Sequence, residues 1–249
     1  MQQSRLATES TLTLNGDGFG IGWYHPTLNK TPGTYKDAQP AWNNENLKSI
    51  ASHVRSPLFF AHIRATTGTP SSELNCHPFR YNEWLFMHNG AIGGFDKIRY
   101  DLEHMIDRKY YNHKLGCTDT EVLFLLALSL GLEKNPAEAL KASIDCCETL
   151  ILKHQIQDCF RGTIALSNGF CSYVLRYSAK PEKSPSLYYV YGEDVRDIIE
   201  QDEHSLDDFS QAIIVLSEPV SSHDKYVKID NGECLRIEGG KATKMKLWE

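Results

Sequence analysis

FMHNGAIGGF, residues 86–95, runs an apolar stretch through His88-Asn89-Gly90 into two further glycines, Gly93 and Gly94. An apolar run bounded by Asn and Gly reads as a strand entering a turn. The same pair can also present hydrogen-bond donors to something negative. Both readings fit these ten residues, and the rest of the chain has to choose between them. Just upstream, Trp84 to His88 reads as the strand itself. Just downstream, Phe95, Ile98, Leu102 and Ile106 recur at helical spacing with charged residues between them, which predicts a helix.

Further upstream, Ile21 to Tyr24 is a short strand after the turn NGDG, and Pro57 to Arg64 (PLFFAHIR) is a buried strand. Downstream, Thr118-Asp119-Thr120-Glu121 fits a capping box, in which Thr118 caps a free N–H and Glu121 reaches back. The almost wholly apolar run after it implies a helix buried on most sides. A third helix starts at Asn135-Pro136, with Asn as N-cap and Pro at the first helical position, and runs toward Leu152. After Arg161 the pattern turns to β. Thr163–Leu166, Asn168-Gly169 and Cys171–Tyr177 form a hairpin signal, Leu187–Tyr191 and Ala212–Leu216 are strands, and Asn231-Gly232 marks another hairpin. Strands, then helices, then strands predict an α+β fold with helices packed on largely antiparallel sheets.

The chain has 249 residues, 41% hydrophobic, which suits one domain or two small ones with a sizeable core. Net charge is −6 with no basic run, so a nucleic-acid surface is disfavoured. The longest apolar stretch, Val122 to Leu132, is too short to span a bilayer. MQQSRLATES has no apolar core and is not a signal peptide. Seven cysteines, an odd number at irregular spacing, argue against a disulfide framework and for a reducing cytosol.

Glycines 16, 18, 20 and 22 in NGDGFGIGWY invite a nucleotide-loop reading. No Gly-Lys-Ser/Thr follows, and Trp23 sits where GxGxxG needs its last glycine, so close backbone packing is the better reading. His62, His77 and His88 each end or flank an apolar stretch. They could ligate a metal, but their spacing lacks the short intervals of zinc sites, and each alone is a hydrogen-bonded core residue. Cys76 and His77 are neighbours in an extended segment and point to opposite faces, which argues against a nucleophile pair. Arg64 ends a strand and needs a carboxylate, either a protein acid such as Asp119 or a substrate. Asp119 can stabilise its helix N-terminus or hold a substrate ammonium group.

Five stretches in order, NGDGFGIGWY, AHIRATTG, SELNCHPF, FMHNG and CTDTE, resemble the class II glutamine amidotransferases of the N-terminal-nucleophile type. PAWNN at 40–44 and NCHPF are similar to the glutathione-degrading branch in fungi, whose subunit works with a peptidase-like partner; the ergothioneine-type branch has a similar layout. The resemblance implies a single type-2 glutamine amidotransferase domain over 1–249, a four-layer α/β/β/α sandwich of largely antiparallel sheets. It implies Asn89 and Gly90 as the oxyanion hole, Arg64 as the α-carboxylate clamp, Asp119 as the α-ammonium acceptor, and Thr67 and His77 lining or supporting the pocket. The substrate would be glutamine or a γ-glutamyl peptide such as glutathione. No cofactor, metal, nucleic acid or membrane is implied, and the setting is cytoplasmic.

The family's nucleophile is an N-terminal cysteine whose own amine acts as base. This chain starts Met1-Gln2, and fourteen residues precede Asn15, so the nucleophile and the first strand are expected to be missing. Three readings stay open: a truncated form of an active γ-glutamyl hydrolase, a catalytically inactive binding or regulatory subunit, and takeover by another cysteine. The chain as written is expected to be inactive. A lost strand is expected to leave an exposed apolar strip and poor solubility.

Overall fold

A computed structural model describes residues 15–25, 27, 29–65, 69–195, 211–220 and 225–248. The largest unit is an antiparallel six-stranded sheet, order β12-β11-β7-β6-β5-β4. Its strands are β4 (Phe79–Tyr81), β5 (Trp84–Ala91), β6 (Arg161–Ser167), β7 (Cys171–Ser178), β11 (Glu233–Glu238) and β12 (Lys241–Lys246). Two three-stranded sheets accompany it. One has the order β2-β1-β3, from β1 (Phe19–Trp23), β2 (Gly33–Asp37) and β3 (Phe59–Ile63). The other has the order β10-β8-β9, from β8 (Tyr188–Tyr191), β9 (Ile213–Leu216) and β10 (Val227–Lys228). The α+β class with antiparallel sheets is as expected from the sequence.

Period-two alternation divides the large sheet into two faces. His88, Ile164, Leu175 and Cys234 pair in one row across β5, β6, β7 and β11. Ile164, Leu175 and Cys234 belong to the main core, which is shared with the helices. These are α2 (Phe95–His104), the short α3 (Arg108–Tyr111), α4 (Asp119–Ser129) and α5 (Pro136–Lys153). The neighbouring row, Met87, Ala165, Val174 and Leu235, faces the other way. There Val174 and Leu235 pack against Tyr189 of β8, while Met87 and Ala165 pack with Tyr24, Phe60 and Leu85. Both small sheets therefore cover the face opposite the helices.

Helix α4 lies at the centre of the helical layer. Every residue from Thr120 to Leu128 is buried, as its nearly uniform apolar run implies. Half of the expected capping box forms: Thr118 Oγ1 accepts the Glu121 N–H at 3.1 Å. Glu121 reaches beyond the cap instead of back to it, and its two oxygens accept the N–H groups of Leu115 and Gly116, each at 2.8 Å. The carboxylate is buried, so replacing Glu121 by Leu strands two amide donors. Glu121→Leu is expected to cost about 2–3 kcal/mol, read as a shift in the urea midpoint; an unchanged midpoint would mean the 115–116 loop finds other acceptors.

Four elements differ from the sequence reading. Asn135 makes no side-chain cap bond to α5, so Pro136 alone marks that start. Asn231-Gly232 links β10 to β11, which lie in different sheets, so it is not a hairpin. The Asn231 amide instead ties down Ser178, accepting its N–H at 2.7 Å and donating to its carbonyl at 3.0 Å. The terminal hairpin is β11–β12, and it turns on Gly239-Gly240. Helix α1 (Glu45–His53), capped by Asn44, and strand β2 were not expected. A last short helix, α6 (Gly192–Val195), follows β8.

PLFFAHIR is less buried than its composition suggests. Among the described residues β3 pairs only with β1, and Phe59 is 68% exposed on it. Strand β9 likewise pairs only with β8. Among the described residues β3 and β9 are thus edge strands, and Phe59 is the exposed large apolar side chain on the first of them. Among the described residues no helix is long and apolar enough to cross a membrane.

Candidate functional site

The glycine-rich entry GFGIG lets β1 lie close to the large sheet. A Cβ on Gly20 would collide with the His77 carbonyl oxygen, and one on Gly22 would come within 2.9 Å of Pro78 and 2.8 Å of Leu85. That contact brings β3 over β5, where Phe60 and Leu85 pack together. Four residues further along each strand come Arg64 and Asn89. By alternation Arg64 continues the Phe60–His62 row and Asn89 the Leu85–Met87 row. Both rows face the space between the sheets.

Arg64 is buried. Its backbone pairs with Gly18 and Asp17, and its guanidinium donates to the carbonyls of Asp17 at 3.2 Å and Thr69 at 3.4 Å and to the Thr69 hydroxyl. Asn89 and Gly90 are exposed at the end of β5. Gly90 has φ +139°, and a Cβ there would meet the Arg161 oxygen and approach the Gly162 Cα to 2.5 Å. Glycine is therefore required on steric grounds, independently of any ligand. Opposite it, Gly162 leaves room for the His88 ring, which a Cβ would strike.

Asp119 is the first residue of α4. Its carboxylate accepts the Ile92 N–H at 3.0 Å and the Thr120 N–H at 2.7 Å. Thus the acid binds the helix start to the loop that follows Asn89-Gly90. It does not pair with Arg64: both sequence-level roles of Asp119 stay compatible, whereas an Arg64–Asp119 ion pair is absent among the described residues.

The three histidines separate. His62 and His77 meet at a tilt between the sheets, ring centroids 4.2 Å apart, while His88 turns to the helices, bonds Thr120 Oγ1 at 3.2 Å and stacks on Phe160. Among the described residues no group of three His, Cys, Asp or Glu is placed to hold a metal. Burial holds His62 down at about 4, helped by the positive groups around it, and holds His77 well below the usual histidine range. His77 thus sits as a neutral ring between His62 and Phe79 in the sheet interface. Cys76 is fully buried, donates to the Asp37 and Ser72 carbonyls, and burial pushes its thiol up, so it is a structural residue. Thr67 lies outside the described residues.

Three contributors were not singled out from sequence. Gly162 faces Gly90 across the β5–β6 ladder. Asn75 accepts the Cys117 N–H at 3.0 Å across 42 positions of chain. Lys36 stands in a row with Gly20 and His62 across β2, β1 and β3, with its ammonium 4.9 Å from the Phe79 ring centroid. Burial lowers Lys36 to about 8.

Comparison with known proteins agrees with this architecture. The chain is 43% identical over 128 residues to the probable glutamine amidotransferase DUG3 of Saccharomyces cerevisiae; the match covers 50% of this chain and 36% of that protein. It is 35% identical to the solved glutamine aminotransferase class-II domain protein of Silicibacter pomeroyi, with a TM-score of 0.75 over 93% of this chain and 92% of that one. A B. subtilis glutamine phosphoribosylpyrophosphate amidotransferase shares the fold at 17% identity, TM-score 0.61, over 94% of this chain and 44% of that one. The family model for class-II glutamine amidotransferases matches residues 4–247, and the chain belongs to that family.

Proposed function

We propose that this chain recognises the γ-glutamyl end of glutamine or of a γ-glutamyl peptide such as glutathione, and that its γ-amide or γ-peptide bond is cleaved through a thioester. What supports the reading is the placement of Arg64 and Asn89, each four residues beyond the packed Phe60–Leu85 pair, together with the Asp119 carboxylate bonded to the Ile92 N–H after Gly90. In this reading Arg64 binds the α-carboxylate and Asp119 the α-ammonium. The Asn89 amide and Gly90 N–H stabilise the negative oxygen that forms when a thiolate attacks the γ-carbonyl. The leaving amine takes a proton, and water then releases glutamate from the thioester.

In this reading the attacking thiol is an N-terminal cysteine of the kind the family resemblance implies. Cys76, Cys147, Cys159, Cys171 and Cys234 are buried, and Cys146 lies on α5 in the helical layer. Cys117 is half-buried and its thiol is engaged with the Asn75 amide. A second reading is a binding or regulatory subunit with the same fold and no turnover of its own. A peptidase-like partner and a cytoplasmic setting belong to the proposal.

Calorimetric titration tests the pocket without needing the thiol. The chain should bind L-glutamine and prefer it to N-acetylglutamine, which lacks the ammonium group. Asp119→Asn should weaken L-glutamine binding about 30-fold, or about 2 kcal/mol, and erase that preference. Equal affinity of the unsubstituted chain for the two ligands, or no binding of either, overturns the reading. Release of glutamate from glutathione by the protein purified from its own cells separates enzyme from binding subunit.

A further inference from the structure

We propose that Asn75 is a positioning residue that fixes the spacing between Arg64 and Asp119, and so selects ligands carrying carboxylate and ammonium on a single carbon. The inference rests on the γ-glutamyl reading above and names the residue that sets its specificity.

Asn75 ends a 3-10 turn, Glu73–Asn75, and is 3% exposed. Its amide works in two directions. Nδ2 donates to the Pro70 carbonyl at 3.0 Å and to Cys117 Sγ at 3.4 Å. Oδ1 accepts the Cys117 N–H at 3.0 Å. The first bond holds the segment that Arg64 also grips, through the Thr69 carbonyl. The second holds the residue two before Asp119. Thr118 then caps α4, and Asp119 reaches Ile92, three residues past Asn89. A path of hydrogen bonds joined by the chain links Thr69–Pro70 and Cys117–Thr118–Asp119 therefore runs from the guanidinium, through Asn75, to the carboxylate and the loop after β5.

The fit around this amide is tight. A Cβ on Gly116 would lie 2.6 Å from Asn75 Oδ1 and 2.9 Å from the Leu74 carbonyl oxygen. On the far side Glu121 clamps the Leu115 and Gly116 N–H groups. The 115–117 loop is thus held between a carboxylate and an amide. Only a side chain with both donor and acceptor satisfies Pro70 and Cys117 together. Aspartate at 75 keeps the bond to Cys117 but turns an oxygen toward the Pro70 carbonyl, loosening one loop from the other. An α-amino acid presents its two charges at one short, fixed separation, so such loosening weakens it selectively.

The test compares L-glutamine with β-homoglutamine, which has one more methylene between carboxylate and ammonium, on the chain and on Asn75→Asp. The unsubstituted chain should prefer L-glutamine at least 10-fold. Asn75→Asp should bring that ratio near unity by weakening L-glutamine, with β-homoglutamine changed less than 3-fold. A purely structural role lowers both affinities together and leaves the ratio standing, which overturns the proposal. If Asn75→Asp does not fold, Gly116→Ala presses on the same oxygen from the opposite side and should collapse the same ratio. If the unsubstituted chain binds neither ligand, the γ-glutamyl reading has failed, and the lock is decided by amide exchange alone. Cys117 should lose protection in Asn75→Asp before α4 does, and equal loss in both elements overturns it.

Discussion

Gly90→Ala is expected to destabilise the chain by about 3–4 kcal/mol and to abolish binding at the site. Two effects add. At φ +139° an L-residue is strained, which costs at least about 1 kcal/mol. The new methyl also meets main chain, the Arg161 oxygen and the Gly162 Cα, where overpacking costs roughly 1–3 kcal/mol. Neither neighbour can rotate away as a side chain could. Relief requires β5 and β6 to part at the Gly90–Gly162 pair, next to the His88–Ile164 pair that fills the helical core. Against a total stability of about 5–15 kcal/mol this is a large fraction. Urea denaturation measures it directly. Gly162→Ala should behave alike, because its methyl strikes the His88 ring. A midpoint for Gly90→Ala within about 0.5 kcal/mol of the parent would mean that the β5 end adopts another backbone, and the oxyanion-hole assignment would lose its geometry.

The elements that could be read from sequence carry their signal locally. Helix α4 announces itself by Thr118 and an unbroken apolar run, and β6–β7 by alternation around Asn168-Gly169. Helix α1 escaped because none of its residues is buried, so ENLKSIASH shows no deep apolar stripe; Asn44, whose side chain accepts the Leu47 N–H at 2.7 Å, was the available clue. Strand β2 escaped because all five of its residues are half-buried, which leaves no alternation to see. Asn231-Gly232 misled because a turn-forming pair states that the chain turns, not which strands it joins. Arg64, Asn89, Gly90 and Asp119 stood out through resemblance of ordered motifs. The contacts that hold the elements bearing them were not local. Gly20 and Gly22 set the approach of two sheets, and Asn75 bridges loops far apart in the chain.

Lys36→Met is expected to stabilise the folded chain by about 2 kcal/mol at pH 7. The ammonium lies over the Phe79 ring, and among the described residues no carboxylate pairs with it. Burial dominates its environment and lowers it from 10.5 to about 8, with Cys76 and Glu121 offsetting only part. A shift of that size corresponds to roughly 3 kcal/mol of cost for keeping the charge in the fold, reduced by partial solvent access. Methionine keeps the length of the stem and packs its sulfur against the ring without a charge. The pH dependence gives the sign. Between about pH 8 and 10.5 the unfolded chain holds a proton that the folded chain has released, so the parent gains stability as pH rises through that window. Below about 8 the full cost is present. The advantage of Lys36→Met should therefore be about 2 kcal/mol at pH 7 and shrink below about 1 kcal/mol at pH 10, read from urea midpoints of both proteins at each pH. A variant less stable than the parent at both values would show that the cation–ring contact outweighs burial. If the stabilised variant also binds L-glutamine more weakly, the buried charge is kept for the field it adds to that of Arg64 between the sheets, around His62 and Cys76. Unchanged binding would confine Lys36 to the interface of β2 with Phe79.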